Sequence, residues 1–559
     1  RGFRFRFRVK VGSCEMSRCR STDEWACQVR RGTAVALLWA VGSSAILATP
    51  QSPPRGFNTF DSYAGINETE VLVLADHMAA QLLPSGYEYL VLDGGWSATT
   101  TTLPNGSKWS GPNLDEYGRP LPDPNRFPSG FPWLVAQLKE RGLKLGLWTI
   151  RGVKTTAVQR KAKVYGTNYT VDQLVDIEPV GGGPNGSCLW EKATLGINAS
   201  HPAAQAFYNS KVALMSSWGV DFIKADCFMC APCYTAEIEL FTAAVKSDPR
   251  EIVLSYSPGG DNTPQDGQWV AQGQLGTMYR ITTDFHGGWY RWGGLQQNIF
   301  TAGNFSALGL GGKAGNGTHP DLDMLPLGAR WWSESQEQSD RGETIATLWM
   351  ISRSGLMHAG NLPTDPKTLA YETNPVALEA HAYGEPSVRA YQASHLRQSQ
   401  LAPTTRCAPL TRDGPGRRPL TTALARIPPQ GDCRCASSVA IPWRRPQPHA
   451  ADGKLGPGCT LDPDAFPACV AKWASTVTPP GPKSPWVAVA VINMGENSTD
   501  AAVSVDGLAL NPAGAPYTLS DVWTGAVVGR LSRDGALHFP VRPHASRFFK
   551  AVGASGVSA

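Results

Sequence analysis

Beyond residue 55, short apolar runs alternate with stretches whose apolar positions recur every three to four residues, a pattern that predicts strands and helices in turn. The runs predict strands over 56–60, 87–93, 143–149, 220–224, 252–256, 278–281, 322–325 and 356–359. Helical spacing covers 68–83, 131–141, 201–218, 236–246 and 340–353. Eight strands separated by helices predict an α/β fold, a (β/α)8 TIM barrel. A doubly wound open sheet is the competitor, but no Gly-rich dinucleotide or phosphate loop accompanies these strands. After 383 the texture changes. Residues 397–454 are rich in Arg, Pro, Ser and Thr without sustained periodicity, which reads as insertion or linker. Runs at 486–493, 502–508, 517–523 and 538–541 then predict a small C-terminal antiparallel β-sandwich domain. The expected boundaries are a leader at 1–48, the catalytic barrel at 55–390, an insertion or linker at 397–480 and the sandwich at 484–552.

The first segment reads as targeting sequence. Arg30 and Arg31 precede an apolar run over 34–47 followed by small residues and Pro50, the order of a signal peptide. The run falls short of the ~20 residues a spanning helix needs, so no stable membrane insertion is expected after cleavage. Met16 is a candidate start. This leader also accounts for the basic balance: the chain carries a net charge of +5, and residues 1–31 alone hold nine Lys/Arg against three Asp/Glu. The remainder is nearly neutral and offers no patch for nucleic acid. Eight Asn-x-Ser/Thr acceptors, at Asn67, Asn105, Asn168, Asn185, Asn198, Asn304, Asn316 and Asn497, support a secretory route ending outside the cell, in the cell wall or in a vacuole or lysosome.

In a (β/α)8 barrel the βα loops converge on one open face, so carboxylates at strand ends are candidate catalytic groups. Asp93 follows YLVL, Asp226 follows DFIKA, Asp284 follows YRITT, and Asp321 and Asp323 sit in HPDLDMLPLG. One such Asp can be a helix cap. Four strand ends bearing carboxylates, with Trp and Tyr nearby and neither a His-rich metal set nor a Gly-x-Ser-x-Gly elbow, point to a carboxylate pair acting on a glycosidic bond. Lys224 lies on the same face of its strand as Asp226, two residues away, and favours an ionised carboxylate there. The acid must hold a proton, so Asp284 is expected to be the less solvated or more negatively surrounded of the two.

Six ordered motifs carry a resemblance: RGFN at 55–58, GYEYLVLD at 86–93, GLKLGLW at 142–148, WGVDFIKAD at 218–226, RITTD at 280–284 and DLDML at 321–325. The chain resembles the α-galactosidase (melibiase) group of glycoside hydrolase family 27, as a divergent branch. The resemblance implies a retaining, exo-acting hydrolase that releases terminal α-galactose through a covalent glycosyl-enzyme, with Asp226 as nucleophile and Asp284 as acid/base. It further implies that Asp93, Lys224, Arg280 and Asp323 bind sugar hydroxyls and that Phe60, Trp148 and Met324 line the sugar, whereas Trp96 reads as core. No metal or organic cofactor is implied; the expected partner is a carbohydrate, with a homodimer left open.

Two departures bear on the sugar. The family's Asp-Asp after the second strand is Asp93-Gly94 here, and its Cys-Glu-Trp-type motif after the fifth is replaced by Ser255-Tyr256-Ser257-Pro258-Gly259. α-N-Acetylgalactosamine, β-L-arabinopyranose and a barrel that binds glycans without hydrolysing them therefore stand as alternatives. The string Cys227-x2-Cys230-x2-Cys233 could bind metal, but secretion favours a disulfide from one of these thiols to Cys188.

Overall fold

The computed structural model describes residues 52–391 and 470–554, apart from 64, 103–107, 176–187, 189–190, 192, 229–233, 258–263, 290–293, 308, 311–316 and 330–335. The expected leader, the 397–454 segment and seven of the cysteines outside the leader lie outside these residues, as do Asn105, Asn185 and Asn316.

Eight strands form one parallel sheet: β1 (Arg55–Asn58), β2 (Tyr89–Leu92), β3 (Lys144–Ile150), β4 (Phe222–Asp226), β5 (Val253–Tyr256), β6 (Met278–Arg280), β7 (His319–Asp321) and β8 (Leu356–His358). Each pairs with its neighbours in chain order, β8 pairs with β1, and Leu325, just beyond β7, bridges His358 of β8. That bridge closes the ring and gives the (β/α)8 barrel. The intervening helices include α1 (Glu68–Gln81), α2 (Gly130–Glu140), α3 (Ala204–Ser217), α4 (Thr235–Ser247), α5 (Pro264–Gln272), α6 (Leu295–Ala307), α7 (Gln336–Ser352) and α8 (Pro375–Tyr383). The N-terminus of α1 is fixed by a reciprocal capping box between Asn67 and Glu70.

Strand alternation divides the core. Tyr89, Val91, Phe222, Val253, Met278, Met324 and Met357 pack together inside the barrel, while Leu90, Leu92, Ile223, Ala225 and Leu254 lie beneath the helices. Gly146 of β3 occupies a crowded place: a Cβ there would stand 2.7 Å from Val91 Cγ2 and 3.1 Å from Phe222 Cβ. Because Phe222, Lys224 and Asp226 share one face of β4, the packed interior below becomes the site above.

Three sequence expectations need correction here. The seventh strand is His319–Asp321 rather than 322–325: Leu322 is apolar through burial against the core, and Leu325 forms an isolated bridge to His358 rather than continuing the ladder. Helices α5 and α6 have no counterpart in the sequence reading, since Gly267 and Gly303 and several polar residues break their apolar spacing. The C-terminal sheet also begins earlier than 484. Its strands β9 (Gly384–Tyr391) and β10 (Val470–Val477) come from stretches assigned to the barrel and to the insertion.

They join β11 (Trp486–Asn493), β13 (Tyr517–Asp521), β14 (Val527–Leu531) and β16 (Ser546–Gly553) in a six-stranded antiparallel sheet of order β9-β10-β11-β16-β13-β14. A second sheet pairs β12 (Thr499–Ser504) with β15 (Ala536–Val541). Strand β11 is buried on both faces: Val487, Val489 and Val491 fill the sandwich core, and Trp486, Ala488, Ala490 and Ile492 face the barrel's core. This explains its unbroken apolar run. Thr344 of α7 donates to the His544 carbonyl at 2.9 Å, and Asp340 is ion-paired with Arg542, seating the sandwich on the barrel. No described helix is long and apolar enough to cross a membrane.

Candidate active site

The carboxylates at the ends of β2, β4, β6 and β7 converge on the barrel mouth through a connected set of charges. Asp226, 7% exposed at the end of β4, accepts the Trp148 Nε1 hydrogen at Oδ2 (2.9 Å) and the Cys227 backbone N–H at Oδ1 (2.8 Å). Trp148 of β3 lies in register with Lys224, two residues before Asp226, so the parallel pairing of β3 with β4 sets this geometry. Burial raises the Asp226 carboxyl above its ordinary range, against the opposing effects of Lys224 and the Trp148 hydrogen bond.

Lys224 Nζ donates to Asp93 Oδ2 at 2.7 Å, and the same oxygen accepts from Asn58 Nδ2 at 2.9 Å. Burial opposes the charge on this lysine, yet Asp93, Asp226 and Asp323 together hold it firmly protonated. Arg280 is buried at the end of β6 and shares Nη2 between Asp284 Oδ1 (2.7 Å) and Asp323 Oδ2 (2.8 Å). Asp323 Oδ2 also accepts the Phe285 N–H at 2.7 Å. Burial pushes the Asp323 carboxyl up. It is held in a left-handed backbone conformation (φ 86°), which in a residue with a Cβ marks stored strain at a site.

Asp284 contradicts one expectation. Its side chain is 45% exposed, and although burial acts to raise it, Arg280 with Lys224 and His286 holds the carboxyl below its ordinary range. The free protein therefore has Asp226 as the more readily protonated of the two carboxyls, the reverse of the expected order. The sequence does not reveal that Arg280, spaced four residues before Asp284, reaches it directly.

Of the remaining expected site residues, Phe60 is 43% exposed at the rim with Lys224 Nζ 5.3 Å from its ring centroid, which rules out core packing. Met324 is buried within the barrel interior beneath the carboxylates. Trp96 is core, packed against Phe131 and Trp218, and its indole donates to the Trp148 carbonyl at 2.8 Å. Cys188 and Cys227 form a disulfide beside the nucleophile candidate, and the left-handed Cys227 (φ 62°) is held by Arg151 Nε donating to its carbonyl at 3.1 Å. Sequence reasoning missed Asn58, Asp61, Ser257 and His286. Asn58 and Ser257 are polar residues at or just past strand ends, a signal that was available. Asp61 and His286 show their relation only in space. Among the described residues no cluster of His, Cys, Asp and Glu is arranged to hold a metal ion.

Paired carboxylates flanked by cations and aromatic faces at a barrel mouth define a glycoside hydrolase. The chain matches a family model described as "Alpha galactosidase A" over residues 59–172. It is 25% identical over 349 residues to an α-galactosidase A of Cellvibrio japonicus, covering 59% of this chain and 67% of that protein. With an α-galactosidase of Oryza sativa the identity is 23% over 312 residues, 55% of this chain and 57% of the relative. Thus the chain spans two thirds or less of the length of these curated relatives. Among solved structures, a GH27 β-L-arabinopyranosidase from Geobacillus stearothermophilus superposes with a TM-score of 0.66 at 26% identity, covering 91% of this chain and 98% of that one. A putative α-N-acetylgalactosaminidase from Bacillus halodurans shares the fold, with a TM-score of 0.62 at 23% identity. These matches support placing the chain in the α-galactosidase (melibiase) group of glycoside hydrolase family 27.

Proposed function

We propose that the protein removes a terminal α-galactosyl residue from an oligosaccharide or glycoconjugate with retention of configuration. Asp226 is the nucleophile: two hydrogen-bond donors aim its carboxylate, and Lys224 on the same strand face favours the ionised form. Asp284, paired with Arg280 and open to solvent, is the acid/base. A sugar seated in the mouth displaces water from Asp284 and brings no cation, which raises its carboxyl toward the protonated form that the first step needs. Attack by Asp226 then consumes a negative charge as the glycosyl ester forms, Asp284 loses its proton to the departing oxygen, and the resulting carboxylate activates the incoming water. Asp93, Lys224, Arg280 and Asp323 supply hydrogen bonds to ring hydroxyls, with Trp148 as a ring face.

The observation that carries this reading is the aimed pairing of Trp148 and Cys227 N–H with Asp226 beside Lys224. A fluorinated galactosyl substrate should leave a covalent adduct on Asp226, detectable by peptide mass spectrometry; an adduct elsewhere, or none with any sugar, removes the assignment. A second reading keeps the mechanism and changes the sugar to β-L-arabinopyranose, which is galactose-configured but lacks the hydroxymethyl group. The residue beside Asp93 that would add a carboxylate is Gly94, whose Cβ position faces the Trp148 ring at 3.7 Å. α-N-Acetylgalactosamine is a further alternative, with Ser257 in place of a bulkier acidic residue. Aryl glycosides of the three sugars separate these, and tight sugar binding without turnover of any would leave a glycan-binding barrel. The Cys188–Cys227 disulfide is compatible with an extracellular location. The sequons at Asn168, Asn198 and Asn497 are exposed, which supports passage through the secretory pathway.

A further inference from the structure

Two loops from distant strands meet above the charge cluster. Phe60 and Asp61 follow β1, and His286 follows β6 two residues after Asp284; in the closed ring β1 and β6 are separated by β7 and β8. The Phe60 and His286 rings lie nearly parallel (22°) with centroids 6.3 Å apart, and both are open to solvent, His286 to 58%. Behind them the Asp61 side chain is only 4% exposed. His286 Nδ1 stands 3.4 Å from Asp61 Oδ1, while Asp61 Oδ2 is buried without a hydrogen-bond partner among the described residues. A buried carboxylate in that position needs a countercharge, and His286 is placed to supply it.

We propose that Phe60 and His286 form the platform for the leaving group, a sugar or aryl ring laid on two aromatic faces, and that Asp61 latches His286 in place as a positioning residue. This deepens the glycosidase reading and rests on it, because the leaving group must lie on the side of Asp284, and His286 is the nearest solvent-exposed aromatic to that carboxylate along the chain, the adjoining Phe285 being buried. Aromatic faces suit the apolar face of a pyranose or an aryl group, and the imidazolium between Asp61 and Asp284 can donate to a ring hydroxyl. The groups acting on His286 are Asp61, Asp284 and Asp323, which favour its charged form, with burial opposing. Lys224 lies behind the Phe60 ring, Arg280 lies between Asp284 and Asp323, and Arg341 of α7 donates to the neighbouring Gly287 carbonyl at 3.3 Å.

The test is binding in the Asp226→Ala background, where turnover is stopped. Calorimetry would compare free galactose, which reports the sugar pocket, with an α-(1→6)-linked galactosyl-glucose disaccharide, which reports the platform as well. His286→Ala should weaken the disaccharide about two- to tenfold, the range of one aromatic contact, and leave galactose unchanged. Asp61→Asn should give the same selective loss and move it to lower pH, because His286 then loses its proton earlier. That pH shift is not expected from a merely structural role. Disaccharide affinity unchanged in both variants, with galactose binding intact, overturns the platform alone. Binding of neither sugar by the Asp226→Ala parent overturns the sugar-site reading and the platform together.

Discussion

Trp148 donates its indole N–H to Asp226 Oδ2 at 2.9 Å, so one strand-borne ring both faces the mouth and holds the candidate nucleophile. A hydrogen bond to the ionised form lowers a carboxyl's pKa; its removal raises it. Trp148→Phe keeps the ring but loses the donor. Because Asp226 is the more readily protonated carboxyl of the free protein, its ionisation sets the alkaline limb of kcat/KM, which should move to higher pH, while kcat/KM should fall about tenfold, the value of one hydrogen bond to a charged group. A pH–rate profile of both proteins on one aryl galactoside checks both effects.

The low-lying Asp284 carboxyl gives a pH prediction with a definite sign. Because Arg280 holds Asp284 below its ordinary range while burial raises Asp226, the free enzyme carries the required protonation pair best in acid. Values of kcat/KM for substrates with poor leaving groups should therefore fall steadily from acid toward neutral pH. Asp284→Ala should cost such substrates about 10²–10⁴-fold, spare the first step for activated aryl glycosides, and allow rescue of the second step by azide. An equal loss for both substrate classes would place the acid elsewhere.

The fold was legible where burial and ladder coincide. Trp486–Asn493 was read to the residue because both faces of that strand are covered, and β4 was readable because Phe222, Lys224 and Asp226 alternate with Ile223 and Ala225. It was illegible where the two diverge: Leu322 and Leu325 are buried but lie beyond their strand, and β9 and β10 come from stretches whose sheet partners are distant in sequence. The site was legible as a set of strand-end carboxylates. Its electrostatics were not, because Arg280 bridging Asp284 and Asp323, and His286 reaching Asp61, depend on loop paths that residue spacing does not encode.

Retention sets a distance. The nucleophile must touch the anomeric carbon with no water between, so a sugar-bound crystal structure should place the Asp226 and Asp284 carboxyl groups about 5–5.5 Å apart, against about 6.5–9.5 Å for an inverting pair. Proton NMR of the first product should show the substrate's anomeric configuration. The opposite anomer would exclude Asp226 as a nucleophile even if its substitution abolishes turnover.

Gly146 makes the interior of the barrel sensitive to a single methyl group. A Cβ at this position would lie 2.7 Å from Val91 Cγ2 and 3.1 Å from Phe222 Cβ, and Phe222 begins the strand that ends in Asp226. Gly146→Ala should destabilise the protein by about 1–3 kcal/mol through overpacking. A lower thermal midpoint with little change in KM is the expected result, read by calorimetry and by kinetics on one substrate.

The final prediction concerns residues 397–454 and follows from where the chain leaves and re-enters the sheet. β9 ends at Tyr391 and β10 begins at Val470, and these strands are antiparallel neighbours in which Tyr391 is in register with Ala471. The two ends are thus one strand spacing apart, a distance that a short turn spans, and among the described residues β9 pairs only with β10, so the chain leaves and re-enters at the sheet edge. Shortening such a connection reduces its loop-closure cost, which grows only slowly with length. Deleting 397–454 should therefore leave the thermal midpoint unchanged or slightly raised and the kcat/KM of an aryl galactoside nearly intact. Chelation of the same protein should also leave activity unchanged, since two carboxyl groups supply both the proton transfer and the nucleophile. A deletion protein that folds, as judged by circular dichroism, yet has lost turnover would show that this segment contributes to the site.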